Sequence, residues 1–295
     1  MIPVPSGRRA RVALALGTLC KTIRGQNLIA ESVDPEVYNI PRNLDIFPSG
    51  LGSFAQSKQA LDQPLHYNLS QLKSMFQRSN RDEDHIENIY VSSAQYCKQL
   101  DDAKHEFLLL EVRDERIPQI SNFAVLDRTV QASSSGYFGA ISTSVSSNSA
   151  AQDRLRVSCY GKKDHLIKQC NLGPYEVLER IAFPSSPSST PLLLCELVIL
   201  ALETSISRSM YNLMSAQCFW FAGCIWECIH ALRPDACRTD VAESNTRGKF
   251  GKVFRQDVDN LEVDDILYKF KLEIGLFRRE LTRGQEVSLR HLSLK

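Results

Sequence analysis

Residues 211–230, with the sequence YNLMSAQCFWFAGCIWECIH, constrain the fold more than any other part of the chain. They contain both tryptophans and three of the nine cysteines of the protein. From Cys218 onward nearly every side of a helix would be apolar, which is typical of a helix buried in a core. The uninterrupted apolar run to Trp226 is about half of the ~20 residues that a membrane span needs. We therefore predict an interior helix.

Cys218 differs from the other cysteines of this stretch in its predicted position at the start of the helix. With Ser215 as the N-cap, Cys218 lies in the first turn, where the partial positive charge of the helix end favours a thiolate. Cys224 and Cys228 are four residues apart on another face and indicate core packing. The sequence predicts Cys218 as a nucleophile, with an ordinary buried thiol as the alternative.

A thiolate nucleophile needs a base, and few of the six histidines suit that role. His230 would lie about 18 Å farther along the same helix, and His291 stands close to the chain end, where order is commonly lost. His105 opens the segment HEFLLLEV, whose apolar run from Phe107 predicts a buried strand. His165 is an alternative base without a core strand around it. We therefore predict His105 as the base.

The next predicted strand, FAVLDRTV, carries Asp127, which could orient the imidazole of His105 as a third member of the site. The alternative for Asp127 is an ion pair with its neighbour Arg128 on the protein surface. Both interpretations stay open at the level of sequence.

A strand that begins with His, a following strand with a polar residue, and a late helix that begins with Cys resemble the permuted papain-like proteins. These are the NlpC/P60 superfamily and its lecithin:retinol acyltransferase-like branch. That branch has Asn-Cys-x-x-Phe at the helix start, where this chain has Gln217-Cys218-Phe219-Trp220-Phe221. The chain is also similar to uncharacterised fungal proteins with a Cys-x-Trp-Phe-Ala helix after a His-Glu-Phe strand. The resemblance extends over residues 90–231.

The resemblance implies a cysteine-dependent hydrolase or acyltransferase that acts on a peptide, isopeptide or acyl bond. It implies Cys218 as nucleophile, His105 as base and Asp127 as orienting residue, with no cofactor and no metal. The alternative is a catalytically inactive interaction or structural domain, in which the aromatic helix only contributes to the core.

Composition narrows the classes of partner and the cellular compartment. The net charge of +1 on 295 residues leaves no excess of Lys and Arg to neutralise nucleic acid phosphates. An odd number of cysteines without framework spacing predicts a reducing compartment, and hence a cytoplasmic protein. A zinc site from Cys224, Cys228, His230 and Cys237 is disfavoured, because no Cys-x-x-Cys pair is present.

The chain is predicted to divide into three parts. Residues 1–84 form a helix and a loop-rich extension, in which a targeting peptide over residues 1–25 is the alternative to an amphipathic helix. Residues 85–235 form the core, with strands predicted at 85–96 and, at a sheet edge or half-exposed, at 154–160. This core contains a flexible serine-rich insertion at 132–152. Residues 236–295 form a loop and a helix.

The predicted fold class is α+β, with a small, mostly antiparallel sheet packed against buried helices. Thr190 and Pro191 predict a helix start, and that helix should run to about Glu203 and pack on the Cys218 helix. A membrane hairpin formed by these two helices is disfavoured, because it would place charged residues in lipid. From residue 261 to residue 281, apolar residues recur at spacings of three and four residues. This predicts an amphipathic helix that docks on the core, with protein-partner binding as the alternative.

Overall fold

The computed structural model describes residues 44, 46–47, 63–79, 86–100, 104–130, 149–183, 190–211, 218–242, 246–250, 254–255 and 257–293. They belong to one compact unit, Asn39–Lys295. The predicted N-terminal helix and targeting segment, and most of the predicted serine-rich insertion, lie outside these residues. Only residues 149–152 of that insertion are described, and they form the start of a strand.

An antiparallel sheet forms the centre of this unit. Seven strands pair in the order β1-β5-β4-β3-β2-β6-β9, β7 pairs with β2, and β8 pairs with β5. Their bounds are β1 Leu65–Asn68, β2 Ile89–Gln99, β3 Glu106–Asp114, β4 Ser121–Val130, β5 Ser149–Val157, β6 Tyr175–Ala182, β7 Leu192–Leu193, β8 Met210–Tyr211 and β9 Cys237–Asp240. The predicted α+β class is therefore confirmed, with a larger sheet than expected.

Five α-helices in the described part of the chain pack on this sheet. They are α1 Leu69–Ser79, α2 Lys163–Gln169, α3 Leu194–Ser207, α4 Cys218–Leu232 and α5 Asn260–Ser293. Helix α3 contacts α1, α4 and α5, helix α5 also contacts α1 and α4, and α4 packs on β3 and β4. A hairpin of β10 Lys249–Phe250 and β11 Phe254–Arg255 precedes α5. Both β1 and α1, which precede the predicted boundary at residue 84, pack on the same unit.

Alternation along β3 divides the apolar residues into two cores, because successive side chains of a strand face opposite sides. Leu108 and Leu110 belong to the large core beneath α3, α4 and α5. Phe107 and Leu109 belong to a small core that also contains Leu166 of α2. The sheet is therefore covered on both faces at its middle strands.

The strand predicted at 154–160 is not at an edge. β5 runs from Ser149 and lies between β1 and β4, and its residues Leu155, Arg156 and Val157 are buried. The prediction was wrong because polar and apolar alternation indicates one solvated face, whereas here the charged face is covered and paired inside the protein.

Helix α3 begins later than predicted. Residues 192–193 pair with β2, so the first helical residue is Leu194 rather than Pro191. The carboxylate of Glu196 accepts a hydrogen bond from the Leu193 amide at 3.2 Å, which satisfies one free donor of the helix start. The helix continues to Ser207 and packs on α4 as predicted.

Helix α5 is longer than the predicted 261–281, and its apolar stripe docks on the core. The buried members of this stripe are Val263, Ile266, Leu267, Phe270, Ile274, Phe277 and Leu281. The docking prediction for this stripe is confirmed. Among the described helices, none combines the length and the hydropathy needed to cross a bilayer.

Candidate functional site

His105 lies at the entrance of β3, one residue before the first paired position. The preceding residue, Lys104, has a φ of 48°, a left-handed conformation that non-glycine residues adopt infrequently and that sets the direction in which the chain enters the strand. The imidazole stacks on the ring of Phe107 with a centroid distance of 6.2 Å. Its side chain is 15% exposed, so the ring is held by the sheet and only a small part of it reaches solvent.

Asp127 lies on β4, the neighbour of β3, and its side chain is only 1% exposed. Its Oδ2 atom is 3.2 Å from Nε2 of His105. This contact leaves Nδ1 as the second ring nitrogen for another partner. The structure therefore brings together the predicted base and the predicted orienting residue.

Two arginines of β5 also bind Asp127. Nη2 of Arg156 donates to Oδ2 at 2.7 Å, and Nε of Arg154 is 3.4 Å from Oδ1. Burial raises the pKa of Asp127, but the charges of Arg156, His105 and Arg154 outweigh it and lower the pKa to about 2. Asp127 is therefore a carboxylate at neutral pH, and it can stabilise a positive charge on His105.

Cys218 is the first residue of α4 and is 6% exposed. Its sulfur lies close enough to the imidazole of His105 to influence the pKa of that ring. Burial lowers the pKa of His105, whereas the Cys218 sulfur and, after it, Asp127 raise it, and the result lies well above the ordinary value. The three predicted residues are thus close together, with the imidazole of His105 near the Cys218 sulfur and in contact with the Asp127 carboxylate.

The helix that carries Cys218 is anchored on β4 by the residue after Asp127. The buried Arg128 guanidinium forms two 2.7 Å hydrogen bonds with Asp153. It also lies 5.0 Å from the ring centroids of Trp220 and Phe221, within the range of cation–π interactions. The alternative prediction of a surface ion pair between Asp127 and Arg128 is therefore wrong, since each binds other partners on opposite faces of the strand.

A second buried polar cluster lies next to His105 on the other face of β3. The carboxylate of Glu106 accepts hydrogen bonds from Nζ of Lys98 at 2.7 Å and from the hydroxyl of Tyr96 at 2.6 Å. It also accepts one from the amide of Gly248 at 3.0 Å. This cluster fixes the first residue of β3 and thereby supports the position of His105.

The other cysteines of α4 have the structural role that the sequence predicted. Burial raises the pKa of the Cys224 thiol, and it raises that of Cys228 to about 12. Both belong to the large core. No group of metal-ligating side chains is present among the described residues, which include Cys237 and His230. His165, the alternative base, lies on α2 and contacts the ring of Tyr160.

Sequence reasoning missed the contribution of Arg154 and Arg156. Their spacing of two residues in RLRVSCY places both on one face of a strand, and that was the available signal. The register of β4 against β5, which pairs Asp127 with Arg154, is a long-range property that the local pattern does not contain.

Comparison of the chain with protein-family models, with curated proteins and with solved structures finds no match.

Proposed function

We propose that the protein is a cysteine-dependent hydrolase or acyltransferase of the permuted papain-like class, acting on a peptide, isopeptide or acyl bond. The observation that carries this proposal is the connected set of Cys218, His105 and Asp127, in which a thiol at a helix start meets an imidazole held by a buried carboxylate. Nucleophile, base and orienting group in this relation are typical of thiol acyl-transfer enzymes.

The reaction begins with a thiolate on Cys218 and a protonated His105. The sulfur attacks the substrate carbonyl carbon, and the negative charge moves to the carbonyl oxygen, which backbone amides at the start of α4 stabilise. The C–N or C–O bond then breaks, and His105 transfers its proton to the leaving group, so that a thioester on Cys218 remains. Water or an acceptor nucleophile next loses a proton to His105 and releases the acyl group, which restores the thiolate and imidazolium.

The order of these residues along the chain supports the permuted arrangement over the ordinary papain order. His105 and Asp127 come from adjacent strands, and Cys218 follows them on a later helix. The eight cysteines in the described part of the chain are free thiols. This fits a nucleophile that works in a reducing compartment, and we propose the cytoplasm as its location.

Alkylation by iodoacetamide at neutral pH, followed by peptide mass spectrometry, tests the proposal. Cys237 is the internal control, because it is exposed whereas Cys218 is nearly buried. Accessibility alone predicts faster labelling of Cys237, whereas an activated thiolate predicts faster labelling of Cys218. Replacing His105 by Ala should slow the reaction of Cys218 and leave that of Cys237 unchanged.

Slower labelling of Cys218 than of Cys237 in the folded wild type would contradict the enzyme hypothesis and favour the inactive interaction or structural domain. An unchanged rate at Cys218 in His105→Ala would count against the enzyme hypothesis in the same way. Circular dichroism of each variant separates loss of reactivity from loss of folding.

A further inference from the structure

A groove of about 300 Å³ opens beside the candidate site, along the paired strands β1 and β5. Its lining residues are His66, Tyr67, Asn68, Gln152, Asp153 and Arg154. Arg154 pairs across the sheet with Asp127 on one side and with Asn68 on the other. The guanidinium of Arg154 therefore connects this groove with the carboxylate that holds the catalytic imidazole.

Within the described residues, the positive charge of Arg154 is only partly compensated by a negative charge. Its single partner there is Asp127, at 3.4 Å from Nε, a longer contact than the usual 2.7–3.2 Å. Asp127 has a shorter contact with Arg156 and also accepts from His105. The side chain of Arg154 remains 23% exposed, so its outer nitrogens can reach a ligand in the groove.

The site as a whole carries one excess positive charge when Cys218 is a thiolate. Arg154, Arg156 and protonated His105 contribute three positive charges, against the two negative charges of Asp127 and Cys218. The acid in the groove, Asp153, does not compensate, because two 2.7 Å hydrogen bonds commit it to Arg128.

The pKa of His66 is affected by the same excess of positive charge. Burial lowers the pKa of His66, and the charges of Arg154 and Arg156 lower it further, while Asp127 acts in the opposite direction. A neutral imidazole beside Arg154 can donate a hydrogen bond without adding a second charge.

We propose that the substrate carries a carboxylate that binds to Arg154 in this groove while its scissile carbonyl lies at Cys218; this inference rests on the proposed function. A guanidinium binds a carboxylate through two parallel N–H bonds, and one excess positive charge matches a singly charged anion. The Asp127 carboxylate lies between the His105 ring and Arg154: its Oδ2 atom is 3.2 Å from Nε2 of His105, and its Oδ1 atom is 3.4 Å from Nε of Arg154. The carboxylate of the substrate is therefore several bonds away from the scissile carbonyl.

Two thiol reagents of different charge test this proposal in the full-length protein. N-ethylmaleimide is neutral, whereas maleimidohexanoate carries a carboxylate on a flexible chain, and their rates at Cys218 are compared by peptide mass spectrometry. The carboxylate reagent should react faster by about tenfold at low salt, as expected for a charge-assisted hydrogen bond in a partly buried site. High salt should reduce this preference.

The preference should fall to about one in Arg154→Gln, and Arg154→Lys should retain part of it, since Lys keeps the charge but not the planar fork. Arg113→Gln is the matched control: Arg113 is a partly exposed arginine of β3, near the end opposite His105, paired with Glu111. It should keep the full preference. Taking the ratio of the two reagents removes any effect of Arg154 on the reactivity of the thiol itself, and circular dichroism verifies folding.

Equal rates of the two reagents in the wild type, or an unchanged preference in Arg154→Gln, would overturn the carboxylate subsite. Slow reaction of Cys218 with N-ethylmaleimide would instead count against the proposed function, and a preserved preference for maleimidohexanoate would then still support anion binding. Absence of reaction with both reagents would overturn both proposals.

Discussion

Replacing Arg156 by Met is predicted to destabilise the fold and to disturb the Asp127 carboxylate of the candidate site. Arg156 donates to Asp127 at 2.7 Å and to the Cys170 carbonyl at 3.1 Å, and both charged side chains are nearly fully buried. Removing one partner of such a pair leaves the other charge without compensation, which typically costs ~3–5 kcal/mol. The pKa of Asp127 should rise, because its burial then opposes the charged form with less compensation.

A double-mutant cycle distinguishes the loss of the Arg156–Asp127 ion pair from nonspecific destabilisation of the fold. Asp127→Asn leaves Arg156 with the uncompensated charge, so each single variant should lose ~3–5 kcal/mol of unfolding free energy. The double variant should lose less than the sum by about 2 kcal/mol or more, as expected for residues in direct contact.

Urea unfolding at neutral pH measures the three free energies, with the surface variant Arg113→Met as the control that should change stability little. Alkylation of Cys218 should slow in each variant that disturbs the Asp127 carboxylate. Additive losses, within about 0.5 kcal/mol, would show that Arg156 and Asp127 act independently and would refute the reasoning.

Three further predictions concern the same unit. The pKa of Asp127 is about 2 in the folded state, below its ordinary 3.8. The ionised carboxylate therefore contributes about 2 kcal/mol to the free energy of unfolding above pH ~4, and this contribution is lost as the pH falls toward ~2. The difference in unfolding free energy between wild type and Asp127→Asn should shrink over that interval. Gly223→Ala places a Cβ atom 2.8 Å from a valine methyl group and should lower stability by ~1–3 kcal/mol, whereas Gly275→Ala, with open space around it, should raise stability by up to ~1 kcal/mol; equal melting temperatures for the two would contradict this. Lys98→Met leaves the buried Glu106 carboxylate without its cation and should cost ~3–5 kcal/mol in urea unfolding, and a loss below ~1 kcal/mol would show that the other donors suffice.

The parts of the fold that local patterns determine were predictable from the sequence. The apolar run after Cys218 predicted a buried helix, and α4 begins at that residue. The run after His105 predicted a core strand, and β3 begins one residue later. The three-and-four periodicity of the last helix predicted its docking, because a continuous apolar stripe must be covered.

The parts that depend on distant neighbours were not predictable in this way. Thr190 and Pro191 have the local features of a helix start, yet the next two residues pair with β2, and a partner strand about 100 residues upstream decides the outcome. The alternation of β5 indicated a half-exposed strand, because nothing in the local sequence shows that Asp127 will neutralise its arginines. Charge pairing across strands is a property of the register.

Two consecutive residues of β4 explain how the site and the core depend on each other. Asp127 faces the histidine and the two arginines of the site, and Arg128 faces the aromatic rings of the helix that begins at Cys218. Because the strand fixes these two directions, any movement of α4 relative to β4 changes the relation between the sulfur and the imidazole as well as the contacts of Arg128. It follows that substitutions at Arg128 act on Cys218 without touching it: Arg128→Met should slow alkylation of Cys218 even at a temperature where the variant is fully folded.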